Sequence, residues 1–397
     1  METIKAPAPP TRVELTQRAA DLVPLLRANA PWQEENRRLH DETVEALGRA
    51  GILKMRLPAR LGGYAADSVT QLDVSIELGR GDGSAAFDTV AWWVASWILG
   101  LFPDEVQDEV FASPDVLVCA TLAPTGTATV VGGGLRVSGK WSFNSGAAHS
   151  SWKLLSAMLP APDGGSVAPI IAVVPMKELQ VIDDWHVAGL RGTGSVTTAV
   201  DDLFVPASRY LPISSLLRAE PASRHNAGSP RYSGPGIGHI SAAEPGKLIG
   251  LAMAAKEAFL ERMEMRGIAN TSYSRQADAP VTHLQLAEAS LQIDEAGYHG
   301  RRLAELVDAK SAVDEPWTMQ ERAYARVAVG RVCQLAHGAV TTLAQASGAG
   351  SLYTGAPIQR IQRDVQAIAL HALHVPTTNL ELYGRVLSGL EPNTVLV

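Results

Sequence analysis

The chain has 397 residues, 46% of them hydrophobic and 19% charged, with a formal net charge of -7 at pH 7. Such a chain can bury a large core in two or three packed subdomains. The acidic balance, with no cluster of Lys and Arg, argues against a nucleic-acid partner, and no uninterrupted apolar run is long enough to cross a bilayer.

The opening METIKAPAPP lacks the apolar core of a signal peptide and reads as a short disordered tail. Cys119 and Cys333, the only cysteines, imply no disulfide framework and fit a reducing cytoplasm. From Thr11 to about Phe111 the periodicity is helical. VELTQRAADLVPLLRANA comes first, then WQEENRRLHDETVEALGRAG, for which Gly51 is a natural stop. SVTQLDVSIELGRGDG and AAFDTVAWWVASWILGLF follow, the latter apolar on nearly every face and therefore expected in the core.

The period then shortens to two. TATVV, LRVSGKWSF, KLLSAML, PIIAVVP and TTAVDDLFVP are strand-like, and TATVV-GGG-LRVSG predicts a hairpin with a glycine turn. Residues 216–239, rich in Pro, Gly and Ser, predict a long loop, readable either as an ordered lid or as a disordered connector. Long helical patterns return from Ile240 onward. The expected organisation is therefore an N-terminal helical domain (1–112), a central β-domain (113–212) and a C-terminal helical bundle (213–397).

Several motifs are decoys. Gly134 to Lys140 has P-loop spacing, but Trp141 stands where Ser or Thr must reach a metal, and no helix follows. Gly79-Arg80-Gly81-Asp82-Gly83 closes a helix instead of following a strand, so it makes a weak dinucleotide fingerprint. The ten histidines include no H-E-x-x-H pair, and no metal site is expected.

GKWSFNSGAAHSSW, from Gly139 to Trp152, is harder to dismiss. It sets aromatic residues beside Ser, Asn, Gly and Ala, a composition suited to a planar ring with a polar edge. Gly189-Leu190-Arg191-Gly192-Thr193-Gly194-Ser195 adds donors on a glycine-relaxed turn, and Arg360 and Arg363 precede His371 in a position suited to a phosphate-bearing ligand. Taken singly, Trp141 and Phe143 also read as ordinary core, and the two arginines as surface ion-pair residues.

In combination, KWSFNSG-x-x-H-x-x-W, GLRGTGSVTTAVDDLFVP and PIQRIQRDVQAIALH resemble the acyl-CoA dehydrogenase fold, and within it the group D flavin-dependent monooxygenases. That family includes the oxygenase components of 4-hydroxyphenylacetate hydroxylase, dibenzothiophene monooxygenase and nitrososynthases. The resemblance covers the chain from about Arg18 to its end. It implies a mostly α, α+β protein: N-terminal helices, a central β-barrel or sandwich and a C-terminal four-helix bundle, assembled as a homotetramer. The dehydrogenase branch resembles T-E-P-x-x-G-S-D at a strand end, whereas here Thr121-Leu122-Ala123-Pro124-Thr125-Gly126-Thr127-Ala128 lacks both acids. Near His371 no carboxylate base appears until Glu381.

The implied activity is transfer of one oxygen atom from O2 to a small organic substrate, aromatic, phenolic or polycyclic, through a C4a-hydroperoxyflavin. Reduced flavin, FADH2 or FMNH2, would come from a separate reductase, since no convincing nicotinamide-binding unit is present. His371 and Ser145 are the expected catalytic residues, Ser145 as the hydroxyl near flavin N5 and His371 as proton donor or stabiliser of the anionic reduced flavin. Thr121, Trp141, Phe143, Ser145, Arg191, Thr193, Ser195 and Arg363 are expected around the flavin, with Arg275 and Gln345 reaching the cofactor tail of a neighbouring subunit. Trp92, Trp93 and Trp97 are expected on the substrate side, His149 in a structural role and His374 as a neighbour of the catalyst. An acyl-CoA dehydrogenase with an unusual base and a non-catalytic flavin-binding relative are the alternative readings.

Overall fold

Helix α1 (Arg12–Asn36) opens on a capping box between Thr11 and Glu14 and closes at Arg37, which adopts a left-handed conformation. The computed structural model describes residues 9–113, 115–160 and 167–397; most of the expected N-terminal tail, residues 1–8, lies outside them. The two segments read separately on either side of Pro31 join at their boundary. Helix α1 runs through both Pro24 and Pro31 as far as Asn36. Each proline removes an amide donor, but Leu15, Ala19, Leu26 and Ala30 are buried on one face, which packs on the third helix, and tertiary burial outweighs local propensity.

Helix α2 (Asp41–Arg49) ends before Gly51, where φ is +78° and a Cβ would strike the Tyr64 hydroxyl. Helix α3 (Ser68–Gly81) and helix α4 (Gly83–Leu99) meet at Asp82, whose carboxylate accepts from the Ala85 amide as the N-cap of α4. Helix α5 (Asp104–Val110) completes this layer. As its composition predicted, α4 is buried almost throughout.

The strands are β1 (Val118–Val131), β2 (Gly134–Trp141), β3 (Trp152–Pro160), β4 (Val167–Pro175), β5 (Gln180–Ile182), β6 (Thr197–Pro206) and β7 (Tyr210–Pro212). They form one seven-stranded sheet in the order β5-β6-β2-β1-β3-β4-β7. The predicted hairpin is present, with Val131 opposite Gly134 across a glycine turn. The apparent P-loop is strand β2. Pairing of β1 with β3 is parallel and breaks between Thr121 and Gly126. The sheet is strongly curved, for β4 and β6, which are not neighbours in it, approach one another. Trp141, Leu155, Ala172 and Val205 form the enclosed core.

The C-terminal part contains α6 (Ile213–Arg218), α7 (Gly236–Ala242), α8 (Pro245–Met263), α9 (Pro280–Ala312), α10 (Met319–Ala346), α11 (Pro357–Ala369) and α12 (Pro376–Leu387). Helices α8 to α11 make the bundle. The expected loop at 216–239 is shorter than predicted, because residues 216–218 end α6 and 236–239 begin α7. Its middle is anchored. Asn226 donates to Gly100 O at 2.8 Å, and Tyr232 stacks on Trp97 with centroids 5.9 Å apart. Among the described residues no helix is long and apolar enough to cross a membrane, and no group of His, Cys, Asp and Glu is placed to hold a metal.

Candidate active site

The chain leaves β2 at Trp141 and turns immediately. Asn144, fully buried, makes the turn: its Nδ2 donates to Trp141 O at 2.7 Å and to Val196 O at 2.6 Å, and its Oδ1 accepts from Thr121 Oγ1 at 2.7 Å. The consequence falls on its two neighbours. Phe143 is held at φ +64° with 69% of its surface exposed, its ring edge-on to Trp185 at 5.9 Å. A phenylalanine in the left-handed region is strained by roughly 1–2 kcal/mol, and here it displays an aromatic face to the outside.

Ser145 lies on the other side of Asn144, half-buried. Its Oγ is 2.8 Å from Ser195 Oγ, which is 2.6 Å from Thr193 Oγ1, which donates to Leu190 O at 2.9 Å. Each hydroxyl owns one proton. Thr193 gives its proton to the carbonyl, so Ser195 must donate to Thr193 and Ser145 to Ser195. Ser145 is left with lone pairs only, an acceptor facing outward. Ser145, Thr193 and Ser195 are thus brought together in one hydroxyl chain.

Lys153, also fully buried, supports this layer by donating to Thr198 Oγ1 at 2.9 Å and Thr121 Oγ1 at 3.3 Å, and burial pushes its ammonium pKa down to about 8. Thr121 is therefore spent inside the network. Trp141, too, departs from its expected place at the flavin: it is wholly buried within the sheet and its Nε1 donates to Ser156 O at 2.7 Å.

The 189–195 loop needs its glycines for close approach. A Cβ on Gly189 would fall 2.1 Å from Arg363 O, and one on Gly192 would sit 3.0 Å from Ser84. Asp364 Oδ1 accepts from the Leu190 amide at 2.6 Å. Two of the three arginines expected on the cofactor, Arg191 and Arg363, bind protein. Arg191 donates to Glu34 O and Val187 O, each at 3.0 Å. Arg363 donates to Gln359 and Ala188 O and pairs with Glu34. Both fasten the loop to α1 and α11, a role the sequence left indistinguishable from phosphate binding.

His371 follows α11 and is exposed, although protein crowds around it as around a side chain in an open recess. Phe87 meets it edge-on at 6.0 Å. Burial, and then the neighbouring His374, push its pKa down to about 3, so the ring is neutral at physiological pH. Its Nδ1 is 3.1 Å from His374 Nδ1 and receives the Leu373 amide at 3.3 Å. His374 is completely buried, with Nε2 2.9 Å from Glu244 Oε2 but without a hydrogen bond to it, and Lys247 donates to that same oxygen. The helix α4 joins the two halves of the site: Ser84 packs on Gly192, and Phe87, three residues on, faces His371.

Sequence reasoning missed Asn144, Glu244 and Lys247. An acidic and a basic residue three apart read as an ordinary exposed helix pair; only the fold buries them. The tryptophans expected on the substrate side are all core. Trp92 packs on Gly146 and donates to Ser150 at 3.2 Å, Trp93 donates to Ile52 O at 2.8 Å, and Trp97 lies beneath Tyr232. His149 has a structural place, with Nε2 3.1 Å from Leu39 O. Arg275, paired with Asp278 at 2.7 Å, and Gln345 lie at one end of the bundle, where Gln276 donates to Ala346 O. Arg326, which bonds Ala372 O beside His371, precedes Gln345 by nineteen residues of α10, roughly 28 Å of helix.

Comparison with known proteins identifies the family. Residues 19–113 match the family described as acyl-CoA dehydrogenase, N-terminal domain, and residues 245–376 match acyl-CoA dehydrogenase, C-terminal domain. The oxygenase subunit HsaA of a flavin-dependent monooxygenase from Rhodococcus jostii is 31% identical over 96% of this chain and 100% of its own length. An FADH2-dependent resorcinol hydroxylase oxygenase component from a Rhizobium species is 29% identical over 96% of this chain and 95% of its own. The structure of XiaF from a Streptomyces species, in complex with FADH2 and glycerol, superposes with a TM-score of 0.90 at 30% identity, covering 96% of this chain and 97% of that one. The chain belongs to the flavin-dependent monooxygenase oxygenase subunits built on the acyl-CoA dehydrogenase fold. It is the oxygenase component of a two-component system, and it uses reduced flavin and O2, with the reductase a separate protein.

Proposed function

We propose that the chain takes up FADH2 at the face formed by Phe143, Ser145 and His371 and places one oxygen atom of O2 on a phenolic ring, working as a homotetramer. The observation that carries this reading is the direction of the hydroxyl chain. Ser145 is fixed as an acceptor by Ser195, Thr193 and Leu190 O, and a reduced flavin differs from an oxidised one in presenting an N–H at N5. The residues fit the group: an exposed aromatic wall at Phe143, an outward acceptor at Ser145, and a neutral imidazole in a recess.

When bound, reduced flavin supplies the electrons that activate O2. Ser145 holds the N5 proton in place, and so opposes its loss together with H2O2. Phe143 and Trp185 keep water from the ring edge. His371 exchanges a proton at Nε2 with whatever occupies the recess beside Phe87. The named resorcinol hydroxylase supports a phenolic substrate. Exposed Leu284, Leu291 and Tyr298 recur every seven residues along α9, an apolar stripe suited to a second copy. The separation of Arg275 and Gln345 from His371 suits contacts to a neighbour's cofactor.

The test is product analysis with a supplied flavin reductase, 18O2 and a panel of phenols, amines and sulfides. A phenol gaining a single 18O atom is the expected result. H2O2 as the sole product across the panel, or bleaching of bound oxidised flavin by an acyl-CoA, overturns it.

A further inference from the structure

We infer that the cavity between Arg56, Trp97, Arg231 and His239 is a binding site for one small monovalent anion of the chloride class, held by the Arg56 guanidinium. The inference is independent of where the flavin sits. Trp97 stands ten residues along α4 from Phe87, which faces His371, roughly 15 Å of helix.

Arg56 carries a charge that the protein around it leaves unanswered. The residue is 5% exposed. A guanidinium has five N–H donors, and here one is used: Nη1 donates to His239 O at 3.2 Å. The guanidinium carbon lies 5.1 Å from the Trp97 ring centroid, a cation–π contact that supplies no hydrogen-bond acceptor. No other acceptor and no carboxylate among the described residues meets it. Burial lowers its pKa to about 10, which still leaves it cationic at neutral pH.

The acids whose charge reaches Arg56 are Glu244 and Asp308, and both are committed elsewhere. Asp308, on α9, accepts the Ser68 and Val69 amides at 2.9 and 3.0 Å and Arg231 Nη1 at 3.2 Å. Glu244 takes the ammonium of Lys247. Asp308 thus balances Arg231 and Glu244 balances Lys247, with nothing left for Arg56. His239 contributes no charge, because burial and then Arg56 itself push its pKa down to about 3. Burial likewise raises the Tyr232 phenol, which stays neutral. One positive charge remains in excess, inside the protein, where such a charge is costly without a partner.

The space beside it suits one atom. The cavity measures about 10 Å³, with the Trp97 and Tyr232 rings, both arginines, Ser68 and His239 among its walls. That is room for about one water-sized sphere. Water would fill the volume and leave the charge; a carboxylate or phosphate would answer the charge and exceed the volume. A halide does both. The walls also come from separate parts of the chain. Arg56 follows α2, Trp97 is on α4, and Arg231, Tyr232 and His239 belong to the segment 216–239. A bound ion therefore ties that segment to the N-terminal helices, beside the Asn226–Gly100 hydrogen bond that already anchors it.

The test has two arms. Crystals grown without halide and soaked in sodium bromide should show an anomalous peak within hydrogen-bonding distance of the Arg56 guanidinium. In solution at constant ionic strength, replacing gluconate, which is too large for the cavity, with chloride should raise the melting temperature by a few degrees. The rise should follow a binding curve, since an ion that binds only the folded state stabilises it by mass action. Arg56→Met should lose that chloride-dependent component. Absence of the bromide peak from the wild type overturns the inference whether or not the variant folds. So does a peak with no chloride-specific rise, which marks an adventitious ion only, and so does a rise fully retained by folded Arg56→Met.

Discussion

Asp364 Oδ1 accepts the backbone amide of Leu190 at 2.6 Å, joining the helix that leads to His371 to the loop that holds Ser195. The carboxyl is buried, and burial, followed by the charge of Asp82, pushes its pKa up to about 7, against the Leu190 hydrogen bond and the charges of Arg360 and Arg363. A carboxyl whose folded pKa lies above its unfolded value of about 3.9 binds more protons in the native state between those limits. Its contribution to stability is therefore fullest at low pH and is lost as pH rises to about 7.

Asp364→Asn keeps an acceptor for Leu190 but has no proton to lose. The variant should be more stable than wild type at pH 8, on the order of a few kcal/mol, with the difference shrinking towards zero near pH 4. Denaturant midpoints across that range check it. A difference that stays constant with pH would mean the carboxyl is not perturbed as described.

Phe143→Gly addresses why a bulky residue is kept at φ +64°. Glycine removes the left-handed strain but adds unfolded-state entropy of similar size, so folding stability should change by less than about 1 kcal/mol. Flavin affinity should fall, because the exposed ring is the wall. Thermal melting and equilibrium titration with FADH2 under anaerobic conditions separate the two effects; unchanged affinity would return Phe143 to a structural role.

How far the sequence carried the reading depends on how local the cause was. The GGG turn, the Gly51 stop and the strand-like β2 were legible because each follows from a few neighbouring residues. That Ser145, Thr193 and Ser195 belong together was legible through motif order, and the structure links their hydroxyls. Trp141 and Phe143 were not separable, since alternation cannot say which face of a strand end points inward once Asn144 turns the chain. The run through Pro24 and Pro31 was hidden for another reason: contacts with α3, remote in sequence, override the local penalty. The same holds for Arg191 and Arg363, whose partners Glu34 and Ala188 come from other parts of the chain.

Ser145→Ala removes the outward acceptor while leaving the Ser195–Thr193–Leu190 chain intact. One hydrogen bond is typically about 0.5–1.5 kcal/mol, enough to shift partitioning several-fold without unfolding the protein. The variant should bind reduced flavin and release more H2O2 per O2 consumed. Paired measurements of oxygen uptake, H2O2 and product decide it, and wild-type coupling would remove Ser145 from the flavin.

His371→Ala tests catalysis against assembly. The imidazole contacts Phe87 and His374 at one end of the bundle, whereas the apolar stripe of Leu284, Leu291 and Tyr298 runs along α9. Removing the ring therefore deletes a proton-exchanging group and little that a second copy would touch. Hydroxylation should fall by roughly 10²–10⁴-fold, the usual scale for a lost acid–base group, while light scattering reports the same mass as for the wild type, that of a tetramer if the proposed assembly holds. Undiminished turnover in an intact tetramer would move the proton chemistry to another residue. A dissociated protein would make His371 an interface residue, with its recess closed by the neighbouring subunit and not by substrate.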